Sequence, residues 1–254
     1  MPGEDITTSN RFLASLPGES LQRLRPHFHP LDLPLRMVLF EMGDPAEHVF
    51  FMARGMTSLL IRLEDGALLE VGVVGREGAV GLAALMGARS APHTGMIQIP
   101  GKGARIEAGI LRDEMLRSAG VLDPVLRWTQ ALNAQVSQTA ACNAHHTLQE
   151  RLARWLLMAH DRAEDDALPL TQDFLSMMLG VRRAGVTVAA NVLQQAGAIS
   201  YRRGRIAVLD RSGLEEVSCE CYAMVTRQIR ALLADDGIAE PGSNAIVGIN
   251  RPPR

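Results

Sequence analysis

The stretch LPLTQDFLSMMLGVRRAGVTVAANVLQQAGAISYRRGRIAVLD, residues 168–210, decides the fold of this 254-residue chain. Thr171 is placed to cap a short helix whose apolar positions are Phe174, Leu175, Met178 and Leu179. Gly180 follows, where a left-handed residue and a tight turn are needed. A second helix is expected from about Arg182 to Gln195, with Val186, Ala189, Ala190 and Leu193 facing inward and Gly197 stopping it. Ala198 to Tyr201 and Ile206 to Leu209 then form a hairpin with the basic tip Arg202-Arg203-Gly204-Arg205. Two helices joined by a short Gly-containing turn are the unit that sets its second helix into a DNA major groove. The hairpin is a wing, placed to lie against phosphates or a minor groove.

Charge supports this. The chain carries a net −2, with 26 basic against 28 acidic residues. Between Leu170 and Arg211, however, six arginines (Arg182, Arg183, Arg202, Arg203, Arg205, Arg211) face only Asp173 and Asp210, a net +4 that leaves −6 for the rest. Such asymmetry is the footprint of a modular DNA binder. Lys102 is the sole lysine, so the clustering of arginine, rather than its abundance, carries the signal.

Upstream, residues 9–29 read as short amphipathic helices, with Leu13, Leu16, Leu21 and Leu24 at helical spacing and a break at Pro17-Gly18. From Leu31 to about Glu107 the texture changes to short apolar runs: 36–40, 49–52, 57–63, 68–74 and 96–99. Their connectors are turn-formers, among them Ala53-Arg54-Gly55, Glu64-Asp65-Gly66 and Pro100-Gly101-Lys102-Gly103. This spacing predicts an antiparallel jelly roll, with Asp65-Gly66 as the clearest hairpin signal. Asp123-Pro124 opens a long helix that runs to His146. Its stripe Val125, Trp128, Leu132, Val136, Thr139 and Asn143 is the expected two-fold dimer interface. A further helix, Leu148 to His160, ends at the acidic run 164–166. The fold class is therefore α+β: an antiparallel β jelly roll, a long dimerisation helix and a C-terminal winged helix-turn-helix. The expected boundaries are 1–30 (helical segment), 31–120 (β-roll sensor), 121–146 (dimerisation helix), 147–234 (winged helix-turn-helix) and 235–254 (disordered tail).

Composition narrows the class. Hydrophobic residues make up 47% and aromatics 4%, so the cores must be aliphatic and Met-filled. No stretch nears the roughly 20 apolar residues of a membrane span, and the acidic N-terminus lacks a signal-peptide layout. A cytoplasmic protein without membrane contact is expected. Three cysteines are too few for a disulfide framework.

The motifs Leu170-Thr171-Gln172, Met178-Leu179-Gly180-Val181, Gly197-Ala198-Ile199 and Arg203-Gly204-Arg205-Ile206, with Val73 to Gly78 and Gly81 in the barrel, resemble the Crp/Fnr regulators over about residues 10–232. The resemblance implies a cyclic-nucleotide-binding-type sensor domain, a homodimer and near-palindromic double-stranded operator DNA, with RNA polymerase as a candidate partner. Arg182, Arg183, Thr187, Val188 and Asn191 are expected on the exposed side of the second helix, with Arg183 on a guanine and Val188 on a thymine methyl. Arg182, Thr171, Gln172, Arg202, Arg203 and Arg205 are expected on phosphates. Arg183 matches an arginine that many members carry at the start of this helix; Ala184 and Val188 depart from the residues usual after it.

The family's cyclic-nucleotide ligands are missing. Gly81-Leu82 has no acid, and residues 91–95 have neither Arg nor Ser where a phosphate would sit. Cyclic AMP binding is not expected, because an uncompensated buried phosphate is costly. Candidate effector residues are Arg76, Glu77, Gly81, Leu82, His93, Thr94 and Ser137, with an Arg76–Glu77 ion pair as the structural alternative. No cofactor and no metal are expected. The N-terminus has no cysteine for an iron–sulfur cluster, Cys219 and Cys221 are two apart on a helix, and Cys142 with His146 is an incomplete ligand set. Catalytic residues are expected to be absent: His27-x-His29 lies before the strands, and no nucleophile elbow or phosphate-binding loop occurs. The competing reading is a degenerate family member that acts through protein contacts alone.

Overall fold

The computed structural model describes residues 5–233, so the expectation for the tail lies outside the described residues. Three short helices, α1 (Ile6–Ser9), α2 (Arg11–Ala14) and α3 (Gly18–Leu24), precede the strands β1 (His29–Leu33), β2 (Val38–Phe40), β3 (His48–Arg62), β4 (Leu68–Val74), β5 (Ala79–Val80) and β6 (Thr94–Glu107). Helices α4 (Ala108–Arg117), α5 (Ala119–His145) and α6 (Leu148–His160) follow. The C-terminal part comprises β7 (Ala167–Leu168), α7 (Gln172–Leu179), α8 (Arg183–Gln195), β8 (Ile199–Arg202), β9 (Arg205–Val208), α9 (Arg211–Val217) and α10 (Cys221–Leu233).

The first six strands form one antiparallel sheet in the order β1-β6-β3-β4, with β2 also on β6 and β5 on β3. Two expected turns are not turns. Ala53-Arg54-Gly55 and Pro100-Gly101-Lys102-Gly103 lie inside β3 and β6, which pair across them with register shifts. The glycines there allow close backbone approach. A Cβ on Gly55 (φ +91°) would sit 2.6 Å from the Ile99 carbonyl oxygen, and one on Gly101 would overlap that of Arg54. Glycine inside a strand marks a bulge or a bend as readily as a turn. Asp65-Gly66 does connect two strands, with Gly66 left-handed at φ +85°.

Helix α5 starts at Ala119, with Pro124 inside it, rather than at Asp123. The first part of its predicted stripe, Val125 to Val136, faces the chain's own barrel. Val125 and Trp128 are fully buried, the Trp128 Nε1 donates to the Ala79 carbonyl at 2.9 Å, and Gly78 lacks a Cβ where the indole lies. Leu132 and Val136 pack towards Gly72, and the Thr139 hydroxyl accepts from Arg154 at 2.8 Å. The dimer assignment for Val125 and Trp128 is thereby corrected: committed to one protomer's core, they are not free for a second copy. Periodicity marks an apolar face, and the barrel is what covers it.

Helix α6 opens with a reciprocal capping box between Thr147 and Glu150. Its buried residues join the core of α7, α8 and the wing. Met56, Leu60, Val73, Met96 and Ile99, from the sheet, enter this same core, so the barrel and the C-terminal elements are packed together. Buried Glu70 of β4 sits at the junction, accepting from Ser58 and from Trp155 Nε1 of α6. Burial pushes its pKa up to about 7 from an ordinary 4.5, despite those two hydrogen bonds. A carboxyl whose pKa is raised by folding binds its proton more tightly in the native state. Stability from this group is thus full below about 4.5 and is lost as pH climbs to about 7. Glu70→Gln is expected to remove this loss and to stabilise the chain by about 3 kcal/mol at pH 8 but not at pH 4.5. Thermal unfolding at the two pH values checks it; equal shifts at both would contradict it.

Candidate nucleic-acid interface and sensor cavity

Thr171 caps α7, accepting the Phe174 N–H at 3.3 Å. Gly180 (φ +64°) ends it, and the Val181 N–H returns to the Ser176 carbonyl at 3.0 Å, closing the helix terminus. Three residues later α8 begins. Val186, Ala189, Ala190 and Leu193 anchor its inner face in the core. Arg182, Arg183, Ala184, Val188 and Asn191 are exposed, and Thr187 is half-buried with its hydroxyl on the Arg183 carbonyl. Val188 is 66% exposed on this outward face.

Beside α8 stands the wing. β8 and β9 pair from Ile199↔Val208 to Arg202↔Arg205, and β7 pairs with the outer side of β9. Arg203 (φ +50°) and Gly204 (φ +74°) both take left-handed conformations, the pattern of a two-residue hairpin turn that matches strand twist. Arg202, Arg203 and Arg205 are all exposed. A cleft of about 350 Å³ separates wing from helices, lined by Thr171, Gln172, Asp173, Arg183, Tyr201 and Arg203 with Gly204.

Two arginines behave differently from expectation. Arg183 is held within this cleft, its Nε donating to Gln172 Oε1 at 3.1 Å and its Nη1 lying 3.4 Å from Asp173. Reaching a base edge requires exchanging those partners. Arg211 is turned inward, donating to Asp161 at 2.7 Å and to the Tyr222 hydroxyl at 2.6 Å. It braces α9 and leaves five arginines of the basic segment outside this brace.

The barrel holds a second site, a cavity of about 330 Å³ between β2, β3, the 79–86 segment and α5. Gly81, Leu82 and His93 line it as expected. Arg76, Glu77, Thr94 and Ser137 do not. Glu77 pairs with Arg162 at 2.6 Å instead of Arg76, because the loop after α6 folds back over the turn. Arg76 and Ser137 are exposed, and buried Thr94 accepts from the Met42 N–H at 3.0 Å. Asp44, Glu47, His48 and Thr129 line the cavity without being singled out in the sequence, and Leu132, expected at a dimer interface, lines it too. Thr129 and Leu132 follow from helical spacing once the inward face of α5 is known. Among the described residues no arginine or lysine lines the cavity, and burial pushes the His93 pKa down, favouring neutral imidazole.

Cys142 on α5, His146 just past its end, Cys219 in the turn before α10 and Cys221 at the first position of α10 bring four potential ligands into one cluster. Each pair alone is incomplete because its complement lies some 75 residues away in the chain.

Residues 150–217 match a family model described as a Crp-like helix-turn-helix domain. Among solved structures, FixK2 from Bradyrhizobium japonicum is similar with a TM-score of 0.65 at 17% identity, over 76% of this chain and 98% of its own. CLP from Xanthomonas campestris, described as a c-di-GMP-responsive global regulator, gives 0.61 at 18%, over 76% and 99%. A Crp/Fnr-family transcriptional regulator from Thermus thermophilus gives 0.62 at 21%, over 75% and 98%. No curated protein matches the chain by sequence. Among the described residues, no helix is long and apolar enough to cross a membrane.

Proposed function

We propose, from a chain that carries a Crp-like helix-turn-helix domain and has the fold of the Crp/Fnr regulators, that it is a DNA-binding transcription regulator acting as a homodimer in the bacterial cytoplasm. The observation that supports this most is the outward face of α8, with Arg182, Arg183, Val188 and Asn191 exposed beside an arginine-tipped wing. The first N–H groups of α8 have no side-chain cap, which suits a backbone phosphate at that terminus. Thr171, Gln172, Arg182 and the wing arginines hold phosphates and set register. Val188 meets a thymine methyl, and Arg183 leaves Gln172 and Asp173 to make a bidentate contact with guanine.

The dimer face we infer is the other side of α5. Leu126, Gln130, Asn133, Ser137, Ala140 and Ala144 are exposed or half-buried at alternating four- and three-residue steps, the spacing of a two-helix seam. An operator with half-sites one helical turn apart, about 34 Å, requires such pairing to set the two α8 helices in successive major grooves. The cavity, apolar and lined among the described residues by two carboxylates and no arginine or lysine, favours an uncharged or cationic effector over a cyclic nucleotide.

Arg183→Ala is expected to relax base preference at one position per half-site by about 1–3 kcal/mol. Competition among duplexes that vary one position at a time measures this. Equal weakening on every sequence would make Arg183 a phosphate anchor instead.

A further inference from the structure

Helix α10 packs along α5, and where they meet three buried thiols and one imidazole converge. The Cys142 and Cys219 Sγ atoms lie 3.5 Å apart, Cys221 Sγ lies 3.6 Å from His146 Nδ1, and all four ligand atoms fall within 4.8 Å of one another. Four donors around a metal with bonds of about 2.0–2.3 Å are separated by roughly 3.3–3.8 Å in a tetrahedron. Hydrophobic packing alone does not call for a histidine among three cysteines. It also does not explain the outer groups. Glu220 Oε2 lies 3.1 Å from His146 Nε2, leaving Nδ1 for the sulfurs. Gln138 Nε2 donates to Cys221 Sγ at 3.0 Å. Arg154 and Arg151 bring positive charge to the same thiols. A carboxylate behind a ligating histidine and donors on thiolate sulfur are what a metal site uses to orient its ligands.

We propose that Cys142, His146, Cys219 and Cys221 form a closed tetrahedral Zn²⁺ site that ties α10 to α5. On loading, each of three thiols gives up its proton and forms a Zn–S bond, and neutral His146 binds through Nδ1. Three protons leave to solvent, and the resulting site carries −1 beside the two arginines. Because loading releases three protons, zinc uptake weakens as pH falls. Three cysteines are too few for a four-cysteine iron–sulfur cluster, and Cys₃His favours zinc among common divalent ions. With four protein ligands the metal has no open position for catalysis. Its role is to fix the last described helix of the C-terminal domain onto the long helix that also borders the sensor cavity.

The test uses the full chain, purified reduced from zinc-supplemented cells. Elemental analysis is expected to find one zinc per chain. Exchange with Co²⁺ is expected to give the intense visible bands of a tetrahedral site and thiolate-to-cobalt charge transfer. Glu220→Gln, on a mostly exposed side chain, is expected to keep the fold and to weaken zinc affinity about 10–100-fold in competition with a chromophoric chelator. Folded, reduced wild-type chain with no bound zinc and no tetrahedral cobalt spectrum overturns the proposal, whatever the variants do. Full zinc content in a folded Cys142→Ser/Cys219→Ser chain overturns it as well.

Discussion

Replacing Arg202, Arg203 and Arg205 together with alanine is expected to lower affinity for duplex DNA about a hundredfold near physiological salt, on all sequences alike. The three side chains are exposed at a wing tip whose backbone is fixed by pairing with β7 and by two left-handed turn residues. They therefore contribute charge at a defined place without supporting the fold. Each phosphate that the wing no longer neutralises removes about 0.9 from the slope of log affinity against log salt, so the variant's slope is expected to be shallower by nearly 3. An unchanged slope would mean that the wing does not touch the DNA backbone. Unchanged thermal stability in the same variant separates impaired binding from impaired folding.

Arg162→Ala is expected to destabilise the chain by about 3–5 kcal/mol, because it leaves a buried carboxylate without its counter-charge. Arg162 and Glu77 side chains are only 9% and 10% exposed. Arg162 Nε and Nη2 both donate to Glu77 Oε1, at 2.8 and 2.6 Å, and the Gly75 N–H donates to the same oxygen at 3.0 Å. Arg162 also donates to the Met158 carbonyl, tying the barrel turn to the end of α6. A midpoint drop of roughly 10 °C is expected for a chain of this size. The double variant Glu77→Gln/Arg162→Met is expected to cost much less than the single one, since no charge is then stranded. A double variant as unstable as Arg162→Ala would show that packing, not the ion pair, carries the effect.

The C-terminal half is legible in the sequence because its punctuation is local. Thr171 caps, Gly180 and Gly197 take left-handed conformations at helix ends, and Gly204 turns the wing, each within a few residues of what it terminates. The barrel is harder. Gly55 and Gly101 resemble turn residues, but they serve each other across two long strands, a relation that no short window contains. The stripe on α5 announces a buried face but not its neighbour, since a 3.6-residue period reveals a face and not what packs on it. Adjacency likewise suggests Arg76 as the partner of Glu77, whereas the true partner lies 85 residues on. The cysteine–histidine cluster reads as two separate halves for the same reason. Periodicity and capping are local, whereas partners in the tertiary fold are not.

The measurement closest to the central claim is the salt dependence of duplex binding by the wild-type chain, followed by fluorescence anisotropy. A protein of net charge −2 that presents α8 and its wing to phosphates is predicted to lose affinity steeply and linearly on a log–log plot as salt rises. A flat plot, or no binding at low salt, would contradict the account and leave this a regulator-like fold working through protein contacts alone.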